Sequence, residues 1–173
     1  MRAPRFVVIN LTTSALGPFR RTGSFLIVFF LALASANEAA GQAQEARFVA
    51  KLPIPGAQEV AVVAEGEFEP RSIGSYTVRV YSGVPARFPT DRFLAGMVRP
   101  RDGEIESVSF ADLDGDGRVE IIVSIRSVGT GGYLSADAFS FSGTSLRLVA
   151  GVAGLDKRAD PVGALSEEIR QPR

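Results

Sequence analysis

Four acidic residues recur at short intervals in one stretch of the chain, and their spacing is typical of cation binding. They are Asp112, Asp114, Asp116 and Glu120, at positions 1, 3, 5 and 9 of a loop in which glycines separate the acids. Alternate positions of a tightly curled loop direct side-chain oxygens towards one centre, and oxygens are the ligands that calcium prefers. The backbone carbonyl of Arg118, at position 7, is available as a further ligand. The pattern therefore predicts a structural calcium site at 112–120.

The same loop has a simpler interpretation as a polar hairpin turn, because Asp and Gly are the residues expected between two strands. It departs from an EF-hand loop, since position 12 is Val123 rather than a bidentate glutamate. It resembles more closely the shorter strand–loop–strand calcium loops of integrin-type repeats. In both interpretations we expect the loop to fix strand register rather than to perform catalysis.

A second loop, Gly129-Thr130-Gly131-Gly132-Tyr133, combines three glycines with a hydroxyl and an aromatic ring. It has no phosphate-binding lysine and no following helix, so a phosphate-binding loop is not expected. Tyrosine provides a large contact area at little cost in side-chain entropy, and glycine allows a backbone to approach a partner closely. The loop therefore fits a protruding contact site, and the alternative is a wide hairpin in which Tyr133 begins a core strand.

Composition restricts the chemistry that the chain can perform. It has 173 residues without cysteine or histidine, which excludes disulfides, thiolate or histidine metal sites and a Ser-His-Asp triad. An enzyme would depend on carboxylates, lysine or a hard cation. The 18 glycines and 10 prolines imply many turns, as is typical of all-β folds.

The N-terminus has the organisation of an export signal. Arg20 and Arg21 precede the apolar run 24–36, which ends in Ala-Ser-Ala and is shorter than the roughly 20 residues that span a bilayer. We expect cleavage after Ala36; cleavage after Ala43 and an uncleaved anchor are alternatives. The predicted organisation is a signal peptide at 1–36, a flexible segment at 37–46 and one β domain at 47–173. The mature chain carries 15 basic and 19 acidic residues, a net charge of −4, which disfavours nucleic acid as a partner and favours a basic protein.

Alternating apolar and polar residues predict an antiparallel β-sandwich or barrel of about eight strands with a short C-terminal helix. Tyr76, Val78 and Val80 alternate with polar residues, and 99–103 is predicted to be a turn because of its proline and glycine. The predicted strands are 47–52, 58–64, 73–82, 92–98, 104–110, 119–125, 133–141 and 146–152, and the predicted helix is 161–171.

The runs GEFEPRSIGSYTVRVY and ADLDGDGRVEIIVSIRSVGTGGYLSADAF resemble the periplasmic inhibitors of invertebrate-type (i-type) lysozyme. The resemblance extends over most of the chain after the predicted signal peptide. It implies an exported, non-enzymatic β-sandwich that inserts a Ser-Gly-x-Tyr loop into the active-site cleft of a lysozyme. The matching residues here are Thr130, Gly131, Gly132 and Tyr133, with threonine in place of serine. The resemblance is also compatible with a homodimer.

Two other functions remain open from the sequence. The first is a calcium-stabilised adhesion or ligand-binding module centred on 112–120. The second is a hydrolase that uses Asp112, Asp114 or Glu120, which is disfavoured because no pair of acids in contrasting environments is evident. No stable membrane association is expected after signal cleavage, and no cofactor other than structural calcium is implied.

Overall fold

The computed structural model describes residues 47–171, which form eight strands and one helix. The predicted signal peptide (1–36) and the segment 37–46 lie outside the described residues. The elements are β1 (Val49–Pro53), β2 (Val60–Glu65), β3 (Ile73–Tyr81), β4 (Phe93–Asp102), β5 (Glu104–Ala111), β6 (Glu120–Arg126), β7 (Leu134–Ser142), β8 (Ser145–Leu155) and α1 (Pro161–Arg170).

The strands form two four-stranded antiparallel sheets, each with its strands in chain order. The first sheet has the order β1-β2-β3-β4 and the second β5-β6-β7-β8. One residue, Gly103, separates the last strand of the first sheet from the first strand of the second. The prediction of an all-β fold of about eight antiparallel strands is confirmed. The described strands form two packed sheets rather than a closed barrel.

The core between the two sheets contains the side chains that alternation predicted to be buried. Tyr76, Val78 and Val80 of β3 have no exposed surface, and they pack in one cluster with residues of β6 and β7. The rings of Tyr76 and Phe139 meet edge to face across the sheets, with centroids 6.4 Å apart. Such aromatic pairs add to the stabilisation that burial provides.

The outer face of the second sheet is covered by α1. Leu165 of the helix is fully buried among Ile122, Ala136 and Ala138 of the sheet. The helix begins at Pro161, as the sequence predicts. Asp160 caps it, because its side chain accepts a hydrogen bond from the N–H of Val162 (3.0 Å), and Pro161 is favourable at the first helical position. Among residues 47–171, no helix has the length and apolar character needed to cross a membrane.

The prediction of a turn at 99–103 is wrong. Strand β4 continues to Asp102, with Pro100 opposite Ser75 of β3. Proline is tolerated here because β4 is an edge strand of its sheet, where a missing N–H leaves no ladder partner unsatisfied. Only Gly103 turns the chain, at φ +125°, and a Cβ there would lie 2.2 Å from the carbonyl oxygen of Arg126.

Candidate functional site: two loops at opposite ends of one sheet

The glycine loop connects β6 to β7, and hydrogen bonds close its base. The N–H of Ser127 donates to the carbonyl of Tyr133 (2.9 Å), which extends the pairing of the two strands by one step. Within the loop, the N–H of Gly132 donates to the carbonyl of Gly129 (3.0 Å). The loop therefore has a defined conformation between two fixed strand ends.

Arg126, the last residue of β6, braces the loop from one side. Its Nη1 donates to the carbonyl of Gly132 (2.8 Å), and its Nη2 donates to Oε1 of Glu106 (2.7 Å) on the neighbouring strand. Because the side chain is fixed at both nitrogens, it connects the loop to β5. These contacts are those of a residue that supports the loop.

The tip of the loop presents Thr130 and Tyr133 to solvent. Thr130 is exposed, and the Tyr133 side chain is 55% exposed. The Tyr133 ring lies over Gly131, where an added Cβ would be 2.3 Å from a ring carbon. The buried part of β7 begins at Leu134, so Tyr133 is a surface residue rather than the start of a core strand.

The acidic loop connects β5 to β6 at the other end of the same sheet. The carboxylates of Asp112, Asp114 and Asp116 approach one another, with one oxygen of each within 4.8 Å of the others, and all three residues are exposed. This is the convergence that the spacing predicts. Calcium binding at these carboxylates stays a prediction.

The acidic loop is held mainly by bonds between its own side chains and backbone. The carboxylate of Asp112 accepts hydrogen bonds from the N–H groups of Gly115 (2.7 Å) and Gly117 (2.9 Å), which both have positive φ. Asp116 forms a salt bridge with Arg118 (2.7 Å), and the hydrogen bonds from that guanidinium lower the pKa of Asp116. An Asp116–Arg118 pair competes with a cation for the same oxygens.

Glu120 differs from the three aspartates in position and environment. It is only 3% exposed, and its Oε2 accepts a hydrogen bond from the N–H of Leu113 (3.0 Å). Burial raises the pKa of Glu120, against the lowering effect of that hydrogen bond. Glu120 does not belong to the converging group. Its predicted role as a ligand, and that of the Arg118 carbonyl, remain predictions.

Comparison with known proteins identifies the family. The family model described as periplasmic lysozyme inhibitor of I-type lysozyme matches residues 46–169, well over half of the chain. The chain belongs to this family.

Two solved structures are similar to this chain, and both are of the Aeromonas hydrophila inhibitor PliI. One is PliI alone, at 44% identity and a TM-score of 0.65, covering 68% of this chain and 98% of that one. The other is PliI in complex with the lysozyme of Meretrix lusoria, at 44% identity and a TM-score of 0.65, covering 73% and 98%. No curated protein sequence matches the chain.

Sequence reasoning missed a buried arginine that organises the glycine-loop end of this lysozyme-inhibitor fold. The Arg101 side chain has no exposed surface, and it donates hydrogen bonds to the carbonyls of Pro70, Arg71, Ser75 and Gly103. Glu65, also buried, lies 3.9 Å from its Nε and accepts a hydrogen bond from the N–H of Ile105 (2.9 Å). The one available signal was an arginine two residues before Gly103, which the prediction of a turn at 99–103 obscured.

A second missed group joins the two sheets of the inhibitor fold. Oδ2 of Asp137 accepts hydrogen bonds from the Tyr76 hydroxyl (2.5 Å) and from Nε of Arg99 (3.1 Å). Burial, together with the bond to Asp137, raises the pKa of the Tyr76 phenol. Both partners of Asp137 come from the opposite sheet, which no local sequence pattern indicates.

Proposed function

We propose that this chain is a periplasmic inhibitor of i-type lysozyme, and that it acts by inserting the loop Thr130–Tyr133 into the active-site cleft. The family match over residues 46–169 supports inhibition, and the related PliI forms a complex with the lysozyme of Meretrix lusoria. The family description is that of an inhibitor and not of an enzyme. The family is one of periplasmic inhibitors, which supports the export signal predicted at 1–36.

The chemistry of the loop suits the target. Lysozyme-type glycosidases hold a pair of carboxyl groups in a groove. The hydroxyls of Thr130 and Tyr133 would donate hydrogen bonds to that pair and exclude the polysaccharide. Gly131 and Gly132 leave the tip narrow, and the net charge of −4 expected for the mature chain would accelerate encounter with a basic lysozyme.

The observation that carries this mechanism is an exposed ring on a braced loop. Tyr133 is 55% exposed, while its backbone carbonyl is bound by Ser127 and the neighbouring Gly132 carbonyl by Arg126. Ordering a flexible loop on binding costs free energy, and a loop that is already ordered avoids that cost. The loop is therefore suited to tight insertion rather than to loose contact.

The test is a titration of i-type lysozyme activity with the mature protein, beside chicken-type and goose-type enzymes. We expect selective inhibition of the i-type enzyme, and a Tyr133→Ala variant that inhibits at least tenfold more weakly, about 1.4 kcal/mol. An equal melting temperature of the two proteins is the control for folding. Failure to inhibit any class of lysozyme would refute the proposal, and an undiminished Tyr133→Ala variant would refute the role of the loop.

A calcium-stabilised adhesion or ligand-binding module is the second candidate. The observation that favours it is the convergence of three aspartate carboxylates within 4.8 Å. The deciding measurement is the effect of a chelator on binding of the lysozyme. Loss of binding on chelation, with the Tyr133→Ala variant unaffected, would favour the second candidate over the first.

A further inference from the structure

Phe68 is a solvent-exposed aromatic residue with a strained backbone conformation. Its side chain is 86% exposed, the largest value among the exposed large hydrophobic residues of the described chain, and its φ is +62°. A non-glycine residue in this region is strained, and such strain persists only where the surrounding structure imposes it. We propose that Phe68 forms a second contact with the lysozyme, on the rim of the cleft that receives Tyr133; this inference rests on the proposed function.

The loop that carries Phe68, residues 66–72, is fixed by the residue that follows the ring. The carboxylate of Glu69 accepts hydrogen bonds from the N–H and the hydroxyl of Ser75, and its backbone carbonyl accepts one from Arg47. Gly66 and Gly74 leave room for this carboxylate, since an added Cβ at either would lie 2.4 Å from a Glu69 oxygen. On the other side of Phe68, the N–H of Gly66 donates to the carbonyl of Ser75 (3.0 Å), so the strained backbone at Phe68 is anchored on both sides.

The 66–72 loop and the glycine loop meet through Gly103. The N–H of Gly103 donates to the carbonyl of Ser72 (2.9 Å), and a Cβ on Gly103 would lie 2.9 Å from Cα of Ser127. Ser127 in turn pairs with Tyr133 at the base of the glycine loop. A salt bridge between Arg71 and Glu104 (2.7 Å) ties the 66–72 loop to β5. Both loops therefore lie at the same end of the two-sheet structure.

The rings of Phe68 and Tyr133 are close enough for one partner protein to contact both. Phe68 and Ser72 are four residue steps apart in the chain, which limits that span to about 14 Å. A standard interface buries about 800 Å² on each partner, a patch roughly 30 Å across, so both aromatic residues fit within one such footprint. Phenylalanine, like tyrosine and tryptophan, is enriched at protein–protein interfaces relative to the rest of the surface. The surface of the lysozyme that Phe68 would contact is an apolar patch or shallow pocket beside the cleft.

Three variants test this contact against i-type lysozyme, with the mature protein as reference. Phe68→Ala removes the ring, and Phe68→Gly also relieves the strained φ. Phe88→Ala is the matched control, because Phe88 is an aromatic residue 51% exposed in the 82–92 loop at the opposite end. We expect Phe68→Ala and Phe68→Gly to raise the inhibition constant about tenfold, and Phe88→Ala to leave it unchanged. The melting temperature should be unchanged in Phe68→Ala and unchanged or higher in Phe68→Gly.

Tyr133→Ala, measured in parallel, separates this inference from the proposed function. If Tyr133→Ala weakens inhibition and the Phe68 variants do not, the second contact is refuted and the inhibitor function stands. If the wild type fails to inhibit, both fail. A lower melting temperature in Phe68→Ala, or a change in its oligomeric state, would show that the ring packs within the chain or against a second copy, and either result would overturn the proposal.

Discussion

The two ends of the second sheet are both closed by glycine-rich loops, and the loops are stabilised in different ways. The glycine loop is braced by Arg126, with Glu106 of β5 behind it. The acidic loop is held mostly by its own carboxylates, which accept hydrogen bonds from its own N–H groups. The shape of the glycine loop is therefore fixed by a strand residue outside the loop, whereas the acidic loop fixes itself and concentrates negative charge at one place.

Distance keeps the two loops independent. Strand β6 separates them and has seven residues, which corresponds to roughly 20 Å at about 3.3 Å per residue. Two like charges about 4 Å apart repel by about 1 kcal/mol in water, and this repulsion is local to the acidic loop. A change at the acidic loop should therefore alter stability and leave inhibition intact. A change at the glycine loop should weaken inhibition and leave stability unchanged.

The largest expected effect concerns the buried support of the glycine-loop end. Arg101→Met removes a charge that several carbonyls and Glu65 surround, and leaves the Glu65 carboxylate buried without its cationic partner. Breaking a buried pair on one side costs about 3–5 kcal/mol. Urea denaturation should show this loss, and Arg147→Met, at an exposed arginine, should show almost none. A loss below about 1 kcal/mol for Arg101→Met would mean that water replaces Arg101 as the hydrogen-bond donor to these carbonyls and to Glu65, as at an exposed ion pair.

Gly131→Ala tests whether the shape of the glycine loop determines inhibition. An added Cβ there would lie 2.3 Å from the Tyr133 ring, and so should displace it, whereas at Gly129 it would lie 3.5 Å from Oγ of Ser127, an ordinary contact. We expect inhibition to weaken about tenfold in Gly131→Ala, about 1.4 kcal/mol. Gly129→Ala should retain full inhibition, and both variants should keep the melting temperature. Equal inhibition by both would mean that the position of the ring is unimportant.

Calcium addition tests the acidic end alone. If the three aspartates bind calcium, a concentration about five times the Kd should stabilise the fold by about 1 kcal/mol. This corresponds to a rise in melting temperature of about 3–5 °C. Asp114→Asn should reduce the rise, and the inhibition constant should not change in either protein. An absent rise at millimolar calcium would favour the plain hairpin turn, and a calcium-dependent inhibition constant would break the independence of the two ends.

The smallest expected effect is a dependence of stability on pH at the glycine-loop end. The hydrogen bond from Arg71 lowers the pKa of Glu104, so the folded state favours the charged form. This contribution is complete above the unfolded pKa of about 4.3 and is lost as the pH falls through the lower, folded value. Because the pair is partly exposed, it should contribute less than about 1 kcal/mol. The measurement is the free energy of unfolding in urea between pH 6 and pH 3. Between pH 4 and pH 3 this free energy should fall less steeply in Glu104→Gln than in the wild type.

Local pattern was sufficient for much of the fold. Alternation placed Tyr76, Val78 and Val80 in the core, and Asp160 followed by Pro161 located the start of the helix. It failed at Pro100, because proline and glycine also occur at a strand edge and at the step between two sheets. The residue types did not distinguish a turn from an edge strand, since that depends on which strands pair.

The candidate site divides in the same way. The sequence alone identified the two loops, their residue types and the predicted binding chemistry, because turn residues and hydroxyl, aromatic or carboxylate groups can be read directly. Only the tertiary structure decided that Arg126 supports the glycine loop, that Asp137 bonds Tyr76 and Arg99 of the other sheet, and that Phe68 lies at the same end as Tyr133. These relations join residues far apart in the chain. They exist only after the two sheets pack, when buried polar groups must find partners and exposed rings are left at a common end.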